Sequence, residues 1–199
     1  MYNPLFFDDR ERIVILDFDD TIFPTSQWKK NNSSLKKSQL QAIDAILCDD
    51  IIPLLTSLGC HCYIVSNARL QWLSSIIPAA LPKLASLQIP VISARDTFSH
   101  LRDADWKLAC FQRLCQTFTG SDCQFISIGD SIIEEKSALL ACENCNYFYQ
   151  SLGVQRTILP KIVKFRSDPS TDRIIRQLLV LASQAQVIVR APGSMQILM

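Results

Sequence analysis

The 199-residue sequence predicts an α/β layered fold on a mostly parallel central sheet. Three observations carry that expectation. Short aliphatic and β-branched runs recur along the chain, as strands buried on both faces require. Longer stretches with apolar residues at helical spacing lie between them. Several of the aliphatic runs end in acidic or small polar residues. With right-handed crossovers, all those ends fall on one edge of the sheet, where open α/β sheets bind ligands.

Taken in order, residues 13–17 (IVILD) read as a first buried strand ending at a site. Residues 22–34 read as a polar loop broken by Pro24. Leu40, Ile43, Ile46 and Leu47 give residues 35–47 a helical period. A separate helix is expected over 51–58, capped by Asp49 and Asp50, with Pro53 in its first turn and Gly59 as its stop. Residues 62–66 read as a second strand, and a helix follows from Asn67 to near Pro78. Residues 81–87 suggest one more helical turn or two, and 89–93 a short strand bounded by Pro90. A helix over 103–118 leads to a strand at 124–128, closed by Gly129 and Asp130. Residues 132–142 read as a helix, 146–150 as an edge strand and 157–165 as another strand. Residues 172–186 form a last amphipathic helix, with Ile175, Leu178, Leu179 and Ala182, and 187–199 look frayed or strand-like and fit no element clearly. One domain over residues 1–199 is expected, with 151–199 as an extension packed on its core.

Composition narrows the function classes. Basic and acidic residues number 20 and 19, so the net charge of +1 gives no reason to expect a nucleic-acid partner. No run approaches the ~20 apolar residues of a membrane span. Residues 1–12, with Asp8, Asp9, Arg10, Glu11 and Arg12, do not read as a secretory leader. A soluble, cytoplasmic protein is expected. The eight cysteines then read as reduced, packed thiols. His61 between Cys60 and Cys62, with Cys142 and Cys145, makes an incomplete zinc pattern and is read the same way.

The strand ends gather a consistent set of groups. The first delivers Asp17, Asp19 and Thr21, the second Ser66 and Asn67, and that at 124–128 Asp130, with Glu134 one helical turn on. Lys107 lies near the start of the preceding helix. A carboxylate can attack phosphorus and form an acyl phosphate, which suits Asp17. Asp19, two residues on, could protonate the leaving oxygen and then deprotonate water. Mg²⁺ prefers a few oxygen ligands, which Asp17, the backbone carbonyl of Asp19, and Asp130 would offer, with Glu134 holding a metal-bound water. Lys107 would neutralise charge. Ser66, Asn67 and amides at the following helix N-terminus would bind phosphate oxygens.

These motifs, Asp17-Phe18-Asp19-Asp20-Thr21, Ser66, Lys107, and Gly129-Asp130 followed by Glu134, resemble in order and type those of the haloacid dehalogenase superfamily, in its phosphatase branch. The resemblance covers about residues 12–150. It implies a three-layer α/β/α Rossmann-like fold, Mg²⁺ as cofactor, Asp17 as nucleophile and Asp19 as general acid and base. It also implies Asp17, Asp19 through its carbonyl, and Asp130 at the metal, Ser66, Asn67 and Lys107 at the phosphate, and Thr21 and Glu134 in support. The second aspartate, Asp19, separates phosphatases from dehalogenases in that family. Asp20 stands where glycine is commoner and reads as a turn residue. About 45 positions separate Thr21 from Ser66, and about 40 separate Ser66 from Lys107, which leaves no room for a large cap domain. Pro24 and Trp28 loosely resemble small capless members.

An open site favours a phosphoprotein substrate, phosphotyrosine among the candidates, over a sugar or nucleotide phosphate. A receiver-like signalling domain is disfavoured because residues 91–95 offer no aspartate at a strand end. A binding protein on a retired phosphatase scaffold is disfavoured because every chemical group is present. Asp49 and Asp50 as metal ligands, His100 as a catalytic group, and Lys83 in place of Lys107 are weaker alternatives. Trp28 and Trp72 fit either the site rim or the core. Substrate identity and oligomeric state are not legible.

Overall fold

The computed structural model describes residues 11–31, 35–167 and 169–199. The reading of residues 1–10 as no secretory leader lies outside the described residues, as do positions 32–34 of the expected loop. Among the described residues six strands form one sheet: β1 (Glu11–Asp17), β2 (Cys60–Ser66), β3 (Val91–Ser93), β4 (Asp122–Gly129), β5 (Thr157–Lys164) and β6 (Met195–Leu198). Their order is β3-β2-β1-β4-β5-β6, and every pairing is parallel. The chain runs outward from β1 to β3, then returns to lay β4 against the other side of β1. The switch point therefore lies between the C-terminal ends of β1 and β4.

Among the described residues nine α-helices accompany the strands: α1 (Thr25–Lys30), α2 (Lys37–Ala45), α3 (Ile52–Ser57), α4 (Leu70–Ala80), α5 (Pro82–Ser86), α6 (Ala94–Thr97), α7 (Trp106–Cys115), α8 (Ile132–Ser151) and α9 (Thr171–Arg190). β1 is buried along both faces, which is why its sequence is continuously aliphatic. Val14 and Leu16 face one core with Ile126, Ile128, Val163 and residues of α2, α3, α4 and α9. Ile13 and Ile15 face a second core with Phe125, Ile162 and residues of α7 and α8. The result is a Rossmann-like three-layer arrangement, with the sheet dividing two separately packed cores. No inserted domain interrupts it among the described residues. No helix among them is long and apolar enough to cross a membrane.

Several elements depart from the sequence reading for physical reasons. The expected loop after β1 contains α1, and Ile22 and Phe23 are buried in it. Phe18 stacks on Phe23 at 5.3 Å, and Trp28 of α1 meets Trp72 of α4 at 5.9 Å. Trp28 and Trp72 therefore pack against a core and pin the short helix. Asp49 and Asp50 cap nothing. They lie in a π-helical turn (Ile46–Ile51) that joins α2 to α3, with the Ile52 amide reaching back to the Leu47 carbonyl. The widened turn comes just before Pro53, which lacks the N–H needed to continue an α-helical ladder. Gly59 does end the run, at φ +75°.

Pro78 sits inside the last turn of α4, on its exposed side, so the helix continues to Ala80. Residues 146–150 are not an edge strand but the end of α8. Ala138, Ala141, Cys142, Cys145 and Tyr149 are buried at helical spacing, and the Asn146 side chain bonds the backbone of Ile158 on β5. The aromatic run at 147–149 has strand character taken alone, and the long-range packing overrides it. Residues 187–190 complete α9, and β6 pairs beside β5. β5, α9 and β6, expected as an extension, finish the sheet and one helical layer.

The described cysteines carry no disulfide. Burial pushes the thiols of Cys62 and Cys110 up to about 12, which keeps them protonated. Cys60 and Cys62 pack on one face of the sheet, and Cys142 and Cys145 on the other, so the suggested zinc set is not assembled.

Lys161 on β5 is fully buried. Its Nζ donates to the carbonyls of Ile188, Val189 and Ala191, at 2.6, 2.9 and 2.7 Å, at the C-terminus of α9. A cation there complements the helix dipole and satisfies carbonyls that have no intrahelical donor. Lys161→Met keeps the apolar stem and removes that donor. It is expected to destabilise the protein by about 2–4 kcal/mol in denaturant titration, with α9 the first element to lose amide protection.

Candidate active site

The C-terminal ends of β1 and β4 meet at the switch point. Asp17, the last residue of β1, is 2% exposed and points toward the α7 and α8 layer, following the alternation of Ile13 and Ile15. Lys107, in the first turn of α7, is 3% exposed. Its Nζ lies 2.6 Å from Asp17 Oδ1 and also ion-pairs with Glu134 in the first turn of α8. Glu134 is itself fixed: its second oxygen accepts from the Ser131 amide, closing a capping box at the start of α8. Thr21 reaches Asp17 Oδ2 at 3.4 Å.

Asp130 follows β4 directly. Its carbonyl accepts from Ser167 Oγ at 2.5 Å and from Lys164 Nζ, which ties the end of β4 to the loop after β5. Among the described residues, nothing donates a hydrogen bond to its carboxylate. Carboxylate oxygens of Asp17, Asp130 and Glu134 lie within 4.8 Å of one another, and no other metal-holding group exists among the described residues. Three buried carboxylates face one buried ammonium. An all-oxygen set with excess negative charge suits a hard divalent cation such as Mg²⁺. The residues present therefore fit the expected cofactor.

Burial first, and that charge excess second, shape the titration behaviour. Burial pushes the Asp17 carboxyl well up; Glu134 and Asp19 push the same way, while the Lys107 ammonium opposes them. For Lys107, burial favours the neutral form, but Asp17 and Glu134 outweigh it and hold the group charged. Burial would raise Glu134, yet its contacts with Lys107 and Ser131 bring it below the usual range. Burial, helped by the Glu134 and Asp20 carboxylates, pushes Asp130 up to about 6.

The rest of the expected site is arranged more specifically than its residue types suggest. Asp19 accepts from Ser66 Oγ at 2.7 Å and from Thr25 Oγ1 at 2.8 Å. Ser66 also accepts from the Ala68 amide, at 2.9 Å. It therefore faces Asp19 directly, beyond its expected place as a phosphate donor. Asn67 carries a buried Oδ1 that has no hydrogen-bond partner among the described residues. α4 starts only at Leu70, whose amide is taken by Asp96 at 2.7 Å, so that amide is not available to a phosphate as the sequence suggested. Asp20 has φ +55°, the left-handed conformation that favours glycine, and its carboxylate accepts from the amide and hydroxyl of Ser26. That accords with its reading as a turn residue. Lys83 pairs with Asp49 on the surface, and His100 is exposed, so neither belongs to the cluster.

Sequence reasoning missed Thr25, Ser26, Lys164, Ser167 and Asp96. A threonine and serine following Pro24, a few residues past an acidic turn, were the available signal for the first two. The other three act through the backbone or across the sheet edge, where spacing gives no clue. Comparisons with family models, with curated proteins and with solved structures find no match.

Two expectations follow from the geometry. A Cβ on Gly129 would lie 2.7 Å from Glu134 Cγ and 3.0 Å from its Cβ. Gly129→Ala should push Glu134 off Lys107 and weaken divalent-cation binding by about tenfold in calorimetry, the lower end of effects seen for groups that orient metal ligands. The second concerns pH. The unfolded Asp130 carboxyl loses its proton near pH 4, whereas the folded one keeps it to about 6. Over that interval the folded, metal-free protein binds more protons, so Asp130 makes stability fall as pH rises through it. Thermal melts in chelator should show this decline, and Asp130→Asn or added Mg²⁺ should reduce it.

Proposed function

We propose that this protein is a magnesium-dependent phosphohydrolase of the haloacid dehalogenase type, working through an aspartyl phosphate on Asp17. The observation that carries the reading is the joint ion pairing of Lys107 with Asp17 and Glu134, beside Asp130, at the switch point. Three segments distant in sequence, the end of β1, the start of α7 and the β4–α8 junction, deliver these groups to one place. The fold alone would also suit a dinucleotide site, but the turn after β1 has no glycine fingerprint and carries Asp17, Asp19 and Asp20 instead. Carboxylates there repel a phosphate unless a cation intervenes, which favours metal-assisted chemistry.

In this reading an Asp17 oxygen attacks phosphorus, the bond from phosphorus to the leaving oxygen breaks, and Asp19 gives that oxygen a proton. Water then attacks the phosphorus, Asp19 takes its proton, and Asp17 is released with inorganic phosphate. Thr21 and Lys107 orient Asp17, and Lys107 balances the negative charge that gathers as phosphate approaches. Glu134 holds Lys107 in place. Ser66 and Asn67 stand where phosphate oxygens would be bound. Bound Mg²⁺, held by Asp17, Asp130 and the Asp19 carbonyl, would supply positive charge to the transferring phosphoryl group.

The connections after β1 and from β2 to β4 add only short helices and one short strand. Such an open edge supports a phosphoprotein side chain, phosphotyrosine included, over a small sugar or nucleotide phosphate. A panel of phosphopeptides, sugar phosphates and nucleotides tests the choice. A strong preference for a free sugar phosphate would reverse it.

Turnover of an aryl phosphate is expected in Mg²⁺ and should stop on chelation. Asp17→Asn should lower kcat/KM by about 10⁴-fold or more, and Lys107→Met by about 10²- to 10³-fold. Hydrolysis that survives Asp17→Asn would sink the mechanism. Phosphate-ester binding without turnover would point instead to a binding protein.

A further inference from the structure

Thr25 lies outside every motif that marks the site, yet it is 4% exposed and its hydroxyl is aimed at Asp19. The distance to Asp19 Oδ1 is 2.8 Å, against 3.4 Å to the Phe23 carbonyl, so the carboxylate is the closer acceptor. The backbone around it is closed on itself. The amides of Asp20 and Thr25 both donate to the Phe23 carbonyl, at 2.7 and 2.8 Å, and the Ser26 amide donates to Asp20 Oδ1 at 2.8 Å. The start of α1 is thus fastened to the acidic turn at three points, and the aromatic contacts of Phe23 and Trp28 fasten the rest. Asp19 is held from two directions, by Thr25 at Oδ1 and by Ser66 at Oδ2.

We infer that Thr25 is a positioning residue for Asp19, setting the carboxyl group in line with the leaving oxygen of the substrate. The inference rests on the phosphohydrolase reading and adds a residue to it. Ser66 stands at the phosphate-binding position, so its hydroxyl has a second partner whenever substrate is bound. Thr25 has no such competing duty. Its contact is the one that keeps Asp19 oriented while the phosphorus–oxygen bond breaks. A displacement of a proton-transferring group by even one rotamer lengthens its reach to the leaving oxygen, and proton transfer falls off accordingly.

The test exploits the leaving group. An alkyl alkoxide needs the proton from Asp19 as it departs, whereas an acidic phenolate such as p-nitrophenolate leaves without it. The quantity compared is kcat/KM, which covers only the steps up to departure of the alcohol. Thr25→Val, nearly isosteric but without the hydroxyl, should lower kcat/KM for an alkyl phosphate by about tenfold or more relative to the aryl phosphate. Thr25→Ser should restore the unaltered ratio. Both substrates are assayed in one preparation, so any partly unfolded fraction cancels. An equal loss on both substrates, or no change in the ratio, overturns the inference while leaving the phosphohydrolase reading intact. Absence of Asp17-dependent turnover of the aryl phosphate in the unaltered protein overturns both.

Discussion

A single buried ammonium organises this protein. Lys107 reaches from α7 to carboxylates on β1 and on α8, and in doing so ties a strand and two helices to one point. None of the three groups would tolerate burial alone, because an unpaired charge in an apolar interior is costly. Together they are tolerated, but with more negative than positive charge. Burial, with that imbalance added, pushes Asp17 and Asp130 up, and the imbalance gives a cation its value to the arrangement. The site lies at the sheet edge, where packing alone does not suffice.

Much of the fold was legible because a fully buried parallel strand leaves little choice of residue. The runs ending at Asp17, Ser66 and Gly129 are buried and mostly apolar toward their C-terminal ends, and all three are strands that pair in the sheet. The long helix α9 was legible in its middle, but its expected apolar face of Ile175, Leu178, Leu179 and Ala182 is rotated: Leu179 is exposed, and Ile174, Leu178, Leu181 and Ala185 are buried. Failures occurred where a contact distant in sequence decides the outcome. Asn146 belongs to a helix because it bonds β5, and α1 exists because Phe23 and Trp28 meet Trp72. β6 is visible as a strand only once β5 offers an edge for it.

The candidate site follows the same division. Asp17, Lys107, Asp130 and Glu134 end or begin regular elements, so their meeting could be read from topology. Ser66 was placed correctly at the end of β2, but its partner was not, since the contact with Asp19 spans 47 residues. Thr25 was hidden for a different reason. It begins a helix too short to have a period, and a hydroxyl after proline carries no chemical signature of its own. The backbone support of Asp130 by Lys164 and Ser167 was beyond reach, because it serves a carbonyl and any donor at that position would do.

That last support also governs how the chain comes together. The Gly129 carbonyl is held by the Phe165 amide, and the Asp130 carbonyl by Lys164 and Ser167. The acidic turn after β1 therefore waits for residues made about 150 positions later before its counterpart on β4 is secured. Contacts this far apart close slowly, since their loop entropy comes due before their energy is gained. Lys107, the cation that pairs with Asp17, itself lies 90 positions downstream of it. The carboxylate cluster is accordingly a late product of assembly, and truncating the final strands would loosen a cluster whose residues all lie upstream.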